Sequence, residues 1–184
     1  GVPFEEVGVR LYADNTSNEI GKYSPSGKVP CLIDGETVVW DSLAIGEYVA
    51  EQVPALWPAD RTRRAEARAV SAEMHSGFMA LRKGFPMDVR AALPDHPRDA
   101  EIEADIARIV AIWEGCRARF AADGPFLFGA FSIADAMYAP VVWRFHTYGV
   151  ALPPAAAAWA EHLRGLPAMQ EWRAAALAEP ARGA

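Results

Sequence analysis

The sequence predicts an α+β chain, in which a short strand-bearing module precedes an all-helical body. Three observations carry the prediction. Two β-rich runs, Cys31-Leu32-Ile33 and Glu36-Thr37-Val38-Val39-Trp40, flank the turn signal Asp34-Gly35. Ala67, Val70, Met74, Phe78, Leu81 and Phe85 recur at helical spacing, and Ile102, Ile106, Ile109, Trp113, Cys116 and Phe120 repeat that spacing.

Taken in order, Val7, Val9 and Leu11 alternate with Gly8 and Arg10, the pattern of a strand. Residues 15–23 read as a turn plus a weak helix. Asp34-Gly35 predicts a two-residue type I′ hairpin, whose central positions both need positive φ. Residues 42–52 read as a helix with Leu43, Ile45, Tyr48 and Val49 as apolar surface. Pro54 and Pro58 cannot continue it, and Leu56 and Trp57 would glue the connection to its neighbours, so residues 54–60 form a packed linker. The expected domains are thus 1–53 and 61–184. In the second, the stripe from Ala67 to Phe85 predicts one long helix. Residues 84–97, with Pro86, Pro94 and Pro97, break the pattern before the isoleucine-rich helix. A third helix is expected from Ser132 to about Tyr148. Two shorter ones follow over 155–164 and 167–177, anchored by Trp159, Leu163, Met169 and Trp172. No internal repeat is visible.

Bulk properties narrow the function. With 184 residues, 52% hydrophobic and 23% charged, the composition is that of a soluble globular protein. A net charge of −6 argues against a nucleic-acid binder. Arg61, Arg63, Arg64 and Arg68 are interleaved with Glu66 and run on to Glu73, which reads as a solvated helix face. No apolar run reaches the length of a membrane span, no secretory signal is visible, and Glu6 occupies the position where a myristoylation motif needs Ser or Thr. Cys31 and Cys116 form no CxxC and read as small buried hydrophobes in a reduced, cytoplasmic setting. The four histidines show no paired ligand spacing, so no metal is expected.

Two places beside the hairpin suit a small polar ligand. Val29-Pro30 sits at a strand start, where proline costs no ladder donor. Asp41-Ser42 opens a helix, where the pair serves either as an N-cap or as an anion site built from free N–H groups and the helix dipole. Ser24-Pro25-Ser26-Gly27-Lys28-Val29-Pro30, the hairpin and Asp41-Ser42 together resemble the glutathione-binding half of the glutathione S-transferase family. Phe126 to Ala136, with Ser132 and Asp135 as a capping-box variant and Phe131 facing Ala136 as a staple, resembles a second hallmark of that family.

The resemblance implies a thioredoxin-like N-terminal domain followed by an all-α domain. It implies that the Val29-Pro30 bond is cis and that Val29 offers its N–H and C=O to the cysteinyl part of glutathione. Asp41 and Ser42 would hold the γ-glutamyl end; Lys28 either pairs with the glycyl carboxylate or is an exposed loop lysine. Asp135 would lock a buried helix rather than react. Met74-His75-Ser76-Gly77-Phe78 and Pro86-Met87-Asp88-Val89-Arg90 look similar to segments of a group of bacterial glutathione transferases. They imply an electrophile pocket between the domains, lined by His75, Phe78, Met79 and Arg82; helix packing is the competing reading.

In the family, a strand and helix precede the point where this chain begins, and they carry the Tyr, Ser or Cys that activates the glutathione sulfur. The catalytic residue is accordingly unknown in this chain, and the N-terminal domain reads as truncated. Without that strand the flanking backbone would lose partners, so a longer natural protein, or another element in the gap, is expected. The expected function is detoxifying conjugation of glutathione, as co-substrate, to a small hydrophobic electrophile by a homodimer of the bacterial type. A non-catalytic binding or scaffold protein and a glutathione-dependent isomerase of the maleylacetoacetate type remain open beside it.

Overall fold

In the computed structural model, which describes residues 3–179, the chain divides into two compact units, Gly1–Val53 and Pro54–Ala184. The first unit contains α1 (Thr16–Gly21), β1 (Cys31–Asp34), β2 (Thr37–Trp40) and α2 (Ser42–Gln52). The two strands form an antiparallel hairpin with Cys31 opposite Trp40 and Asp34 opposite Thr37. That register puts the turn at Gly35-Glu36, one residue later than the expected Asp34-Gly35. Gly35 alone has positive φ, +59°, the pattern of a type II′ turn, which asks for glycine only at its first central position.

Pairing places Leu32, Asp34, Thr37 and Val39 on one face of the hairpin. Tyr48 of α2 donates from its hydroxyl to Asp34 Oδ2 at 2.9 Å, so α2 packs against this face. The strand expected over Val7, Val9 and Leu11 does not form: residues 3–10 have no regular secondary structure, and Val7 and Leu11 are exposed. Alternation tells which side a residue would face but does not supply a ladder. Among the described residues β1 and β2 pair only with each other.

The second unit begins with a short 3₁₀ turn, Pro54–Leu56, and then Trp57, buried with the Arg68 guanidinium over its ring. The helices are α3 (Arg61–Ser76), α4 (Met79–Gly84), α5 (Ala100–Phe120), α6 (Ile133–Thr147), α7 (Pro154–Arg164) and α8 (Pro167–Ala178). All six residues of the isoleucine-rich stripe are buried along α5. The earlier stripe, Ala67 to Phe85, is buried too, yet it is not one helix. α3 stops at Ser76, Phe78 adopts the left-handed conformation at φ 58°, ψ 44°, and α4 starts afresh. Gly77 is needed at the break because a Cβ there would stand 2.7 Å from the Glu73 carbonyl oxygen.

Arg61 and Arg68 are exposed, as the solvated-face reading expects, whereas Arg64 donates to the Pro58 and Ala59 carbonyls at 2.9 and 2.7 Å, and ion pairs at the surface join elements. Arg119 pairs with Glu66, Arg108 with Glu73 (2.7 Å), and Arg63 with Asp123 (2.6 Å). Trp113 centres the core, meeting Tyr138, Phe145 and Trp159 with ring centroids 4.6–5.8 Å apart. Tyr138 donates to the Val70 carbonyl at 3.1 Å, tying α6 to α3.

Asp135 organises the turn into α6. Its carboxylate accepts hydrogen bonds from Leu127 N–H, Ser132 N–H, the Ser132 hydroxyl and Trp159 Nε1–H, at 2.9–3.1 Å. Burial pushes its pKa up, and those four donors oppose the shift. At the expected staple neither Phe131 nor Ala136 is buried. Phe131 meets Phe126 edge-to-face at 5.4 Å, a larger apolar partner than a methyl group. Trp159, Leu163 and Met169 are buried as expected; Trp172, at the same helical spacing, is 40% exposed on α8.

Candidate functional site

The hairpin register brings the two ligand-competent places together. Cys31 faces Trp40, so Pro30 and Asp41, the next residues outward, leave the same open end of the ladder. The loop leading to Pro30 is held by local contacts. Gly27 has φ +65° and donates to the Ser24 carbonyl; Ser24 and Ser26 hydroxyls lie 3.0 Å apart, and Lys28 N–H donates to Ser26 Oγ at 3.3 Å. Cys31 Sγ–H donates to the Tyr23 carbonyl at 3.4 Å. The Val29-Pro30 bond is cis. Val29 is 51% exposed, and among the described residues its backbone N–H and C=O have no protein partner. The Lys28 side chain is exposed on the same loop.

Across from it, Asp41 caps α2. Its Oδ1 accepts from Leu43 N–H at 3.0 Å and Ala44 N–H at 3.3 Å, and its carbonyl accepts from Ile45 N–H at 2.9 Å. Three of the first helical donors are thereby satisfied. The N–H and hydroxyl of Ser42 remain, both exposed and without a protein partner among the described residues. An N-terminal turn with one N–H and one hydroxyl to spare is an acceptor's site, and the helix dipole adds to it. Asp41 reaches this geometry at φ 80°, a conformation sparsely populated by non-glycine residues. The cap and ligand readings are therefore divided between the two residues: Asp41 serves the helix, and Ser42 is left over.

The four residues expected to line an electrophile pocket lie around the α3–α4 break. His75 lies in the last turn of α3 and is half-buried, Phe78 is buried at the break, and Met79 is 54% exposed at the start of α4. Arg82 folds back beneath them. Its guanidinium donates to the carbonyls of Gly77 (3.1 Å), His75 (3.2 Å) and Met74, satisfying orphan acceptors at the end of α3. Arg144 of α6 does the same at the end of α4, giving its Nε–H to the Phe85 carbonyl at 2.9 Å. Burial and the nearby Arg82 charge lower the Arg144 pKa. The sequence reading missed Arg144, because an arginine inside a third helix carries no signal that it caps another. Cys116 is buried and unreactive, its thiol pushed up to about 12 mainly by burial.

Among the described residues no cluster of three or more His, Cys, Asp or Glu side chains could hold a metal ion, and no helix is long and apolar enough to cross a membrane.

Comparison with known proteins places the chain in a family. Residues 1–52 match the family model of the glutathione S-transferase N-terminal domain, and residues 99–175 that of its C-terminal domain. Over 53 residues the chain is 49% identical to dichloromethane dehalogenase of Methylorubrum extorquens, spanning 28% of this chain and 18% of that protein. Alignments to two further curated relatives span 66% and 38% of their length. Among solved structures, the theta class glutathione S-transferase of Xanthomonas axonopodis pv. citri with glutathione bound is 30% identical. It covers 88% of this chain and 80% of that one, with a TM-score of 0.63. The holo structure of maleyl pyruvate isomerase, described as a bacterial glutathione S-transferase of the zeta class, is 28% identical. It covers 98% and 89%, with a TM-score of 0.65. The chain belongs to the glutathione S-transferase family, carrying that family's N-terminal domain over residues 1–52 and its C-terminal domain over residues 99–175.

Proposed function

We propose that the protein binds glutathione at Val29, Pro30, Asp41, Ser42 and Lys28 and conjugates it to a small hydrophobic electrophile. The observation that carries the reading is the leftover pair at the helix start, Ser42 N–H and Oγ, beside the uncommitted backbone of Val29. The fit to the tripeptide is chemical. Val29 N–H and C=O match the backbone of the cysteinyl residue in the manner of an added strand. Ser42 suits the γ-glutamyl carboxylate, and the Asp41 carboxylate suits the adjoining ammonium. Lys28 suits the glycyl carboxylate across open water. When bound, glutathione supplies the thiol that attacks the electrophile. The strained φ of Asp41 supports a functional reading, since such strain concentrates at ligand sites.

His75, Phe78, Met79 and Arg82 are proposed to select the electrophile, with Met79 the exposed apolar contact and Arg82 holding the break in shape. The group that activates the sulfur is not assigned among the described residues. Homodimerisation and a cytoplasmic setting are part of the proposal, on family resemblance.

Likeness to maleyl pyruvate isomerase over 98% of this chain favours glutathione-dependent isomerisation as the second reading. Glutathione-agarose retention combined with chloro-dinitrobenzene turnover separates the possibilities. Retention with turnover supports conjugation. Retention without turnover points to the isomerase, or to a non-catalytic binding protein. Failure to be retained overturns every glutathione reading.

A further inference from the structure

Two adjoining cavities lie where the C-terminal half of α6 meets α7 and α8, and no residue of the proposed glutathione site lines them. The first, about 200 Å³, is walled by Val142, Phe145, Val150, Leu152, Ala157 and Ala160. The second, about 230 Å³, is walled by Trp143, Gly165, Gln170 and Arg173. His146, Glu161 and Arg164 line both. Aliphatic and aromatic side chains thus wall one side of the first compartment, and both compartments share a boundary of three polar side chains.

The boundary carries unmatched positive charge. The Arg164 guanidinium donates to the Glu161 carboxylate and to His146 Nδ1, and stands over the Trp143 ring with 5.9 Å to its centroid. A guanidinium has only donors, so Nδ1 must accept, and His146 is held neutral with its proton on Nε2. Burial, and then Arg164, lower its pKa accordingly. Arg164 and Arg173 both line the second cavity, where Glu161 is the one carboxylate in the lining. Glu161 is 73% exposed and gives up little by releasing Arg164 to another anion. Among the described residues Arg173 makes no ion pair.

Size fits the same conclusion. An engineered, sealed cavity of about 150 Å³ accepts benzene, and the first compartment, an open cleft of about 200 Å³, has room for a ring or a short branched chain. We propose that the paired cavity is a binding site for a small organic acid, with the apolar body against Val142, Phe145 and Leu152 and the carboxylate between Arg164 and Arg173. This site is separate from the transferase reading and stands or falls without it.

The test is calorimetric titration of the full chain with benzoate, with neutral benzamide as control. Benzoate is expected to bind at least about tenfold tighter than benzamide, since only the anion makes charge-assisted bonds. Arg173→Gln, an exposed change, is expected to remove about tenfold of the benzoate affinity and to spare benzamide. Ala157→Phe, which fills the first compartment, is expected to abolish binding of both. Each variant is expected to keep the parent's far-ultraviolet circular dichroism and a cooperative urea transition, which reports that the helical unit is folded. The proposal is overturned if millimolar benzoate does not bind, if benzamide binds equally well, or if Arg173→Gln leaves benzoate affinity intact.

Discussion

Ser42→Ala separates helix capping from ligand binding. The Ser42 hydroxyl is exposed and has no protein partner among the described residues, while the α2 donors next to it are already taken by Asp41. Alanine is the better helix former, so stability should hold or rise by up to about 0.5 kcal/mol. If the hydroxyl bonds the glutamyl carboxylate, its loss should cost about 1.5–3 kcal/mol of binding, or roughly ten- to hundredfold in glutathione Kd. Asp41→Ala should behave differently. It strips the cap from Leu43 and Ala44, at about 0.5–2 kcal/mol, and forces alanine to φ 80°, so stability and affinity fall together. Urea unfolding and glutathione calorimetry on both variants provide the readouts. A Ser42→Ala protein with a lowered urea midpoint and unchanged glutathione affinity would refute the assignment, because the hydroxyl would then be serving the helix.

Three further outcomes are expected. Asp135→Ala leaves the Leu127, Ser132 and Trp159 N–H groups buried without an acceptor, at about 1–3 kcal/mol each, so urea unfolding should show most of the stability of the helical unit lost; a loss below about 1 kcal/mol would contradict the network. Arg82→Met keeps the stem but frees the carbonyls ending α3, and steady-state kinetics should show an altered KM for the electrophile with glutathione affinity unchanged. Burial raises the Cys116 pKa, so its contribution to stability is complete below about pH 9 and declines as pH rises toward 12. Urea midpoints on alkaline titration should therefore fall less steeply in Cys116→Ala than in the parent.

Much of this was legible in the chain, and the failures share a cause. Periodicity located α5 and the buried ends of α3 and α4, because burial imposes spacing whether or not the backbone is continuous. For the same reason it could not reveal the break at Gly77-Phe78, where the stripe runs on through a left-handed residue. Alternation over Val7, Val9 and Leu11 likewise described faces without a ladder. At the hairpin, Gly35 set the turn, and its need for positive φ at a single position moved the register one residue from the expected type. Asp41-Ser42 was found as a pair, but which residue caps and which is spare depends on Oδ1 distances that no motif encodes. Arg82 and Arg144 as caps of other elements lay beyond sequence reasoning, since their acceptors are carbonyls and carry no residue identity.

The α3–α4 break also governs which substitutions the protein can accept there. Backbone conformation at position 78 would favour glycine, yet the core needs the phenylalanine ring, which is only 7% exposed. Position 77 admits no Cβ without displacing the Glu73 carbonyl. Both residues are pinned by opposing demands, while Met79, immediately after them and half in water, is tied to neither. Variation along this turn is channelled onto one outward side chain. A library randomised over 77–79 should therefore return near-fixed Gly and Phe followed by a diverse third position, where a new acceptor preference could be acquired without disturbing the core.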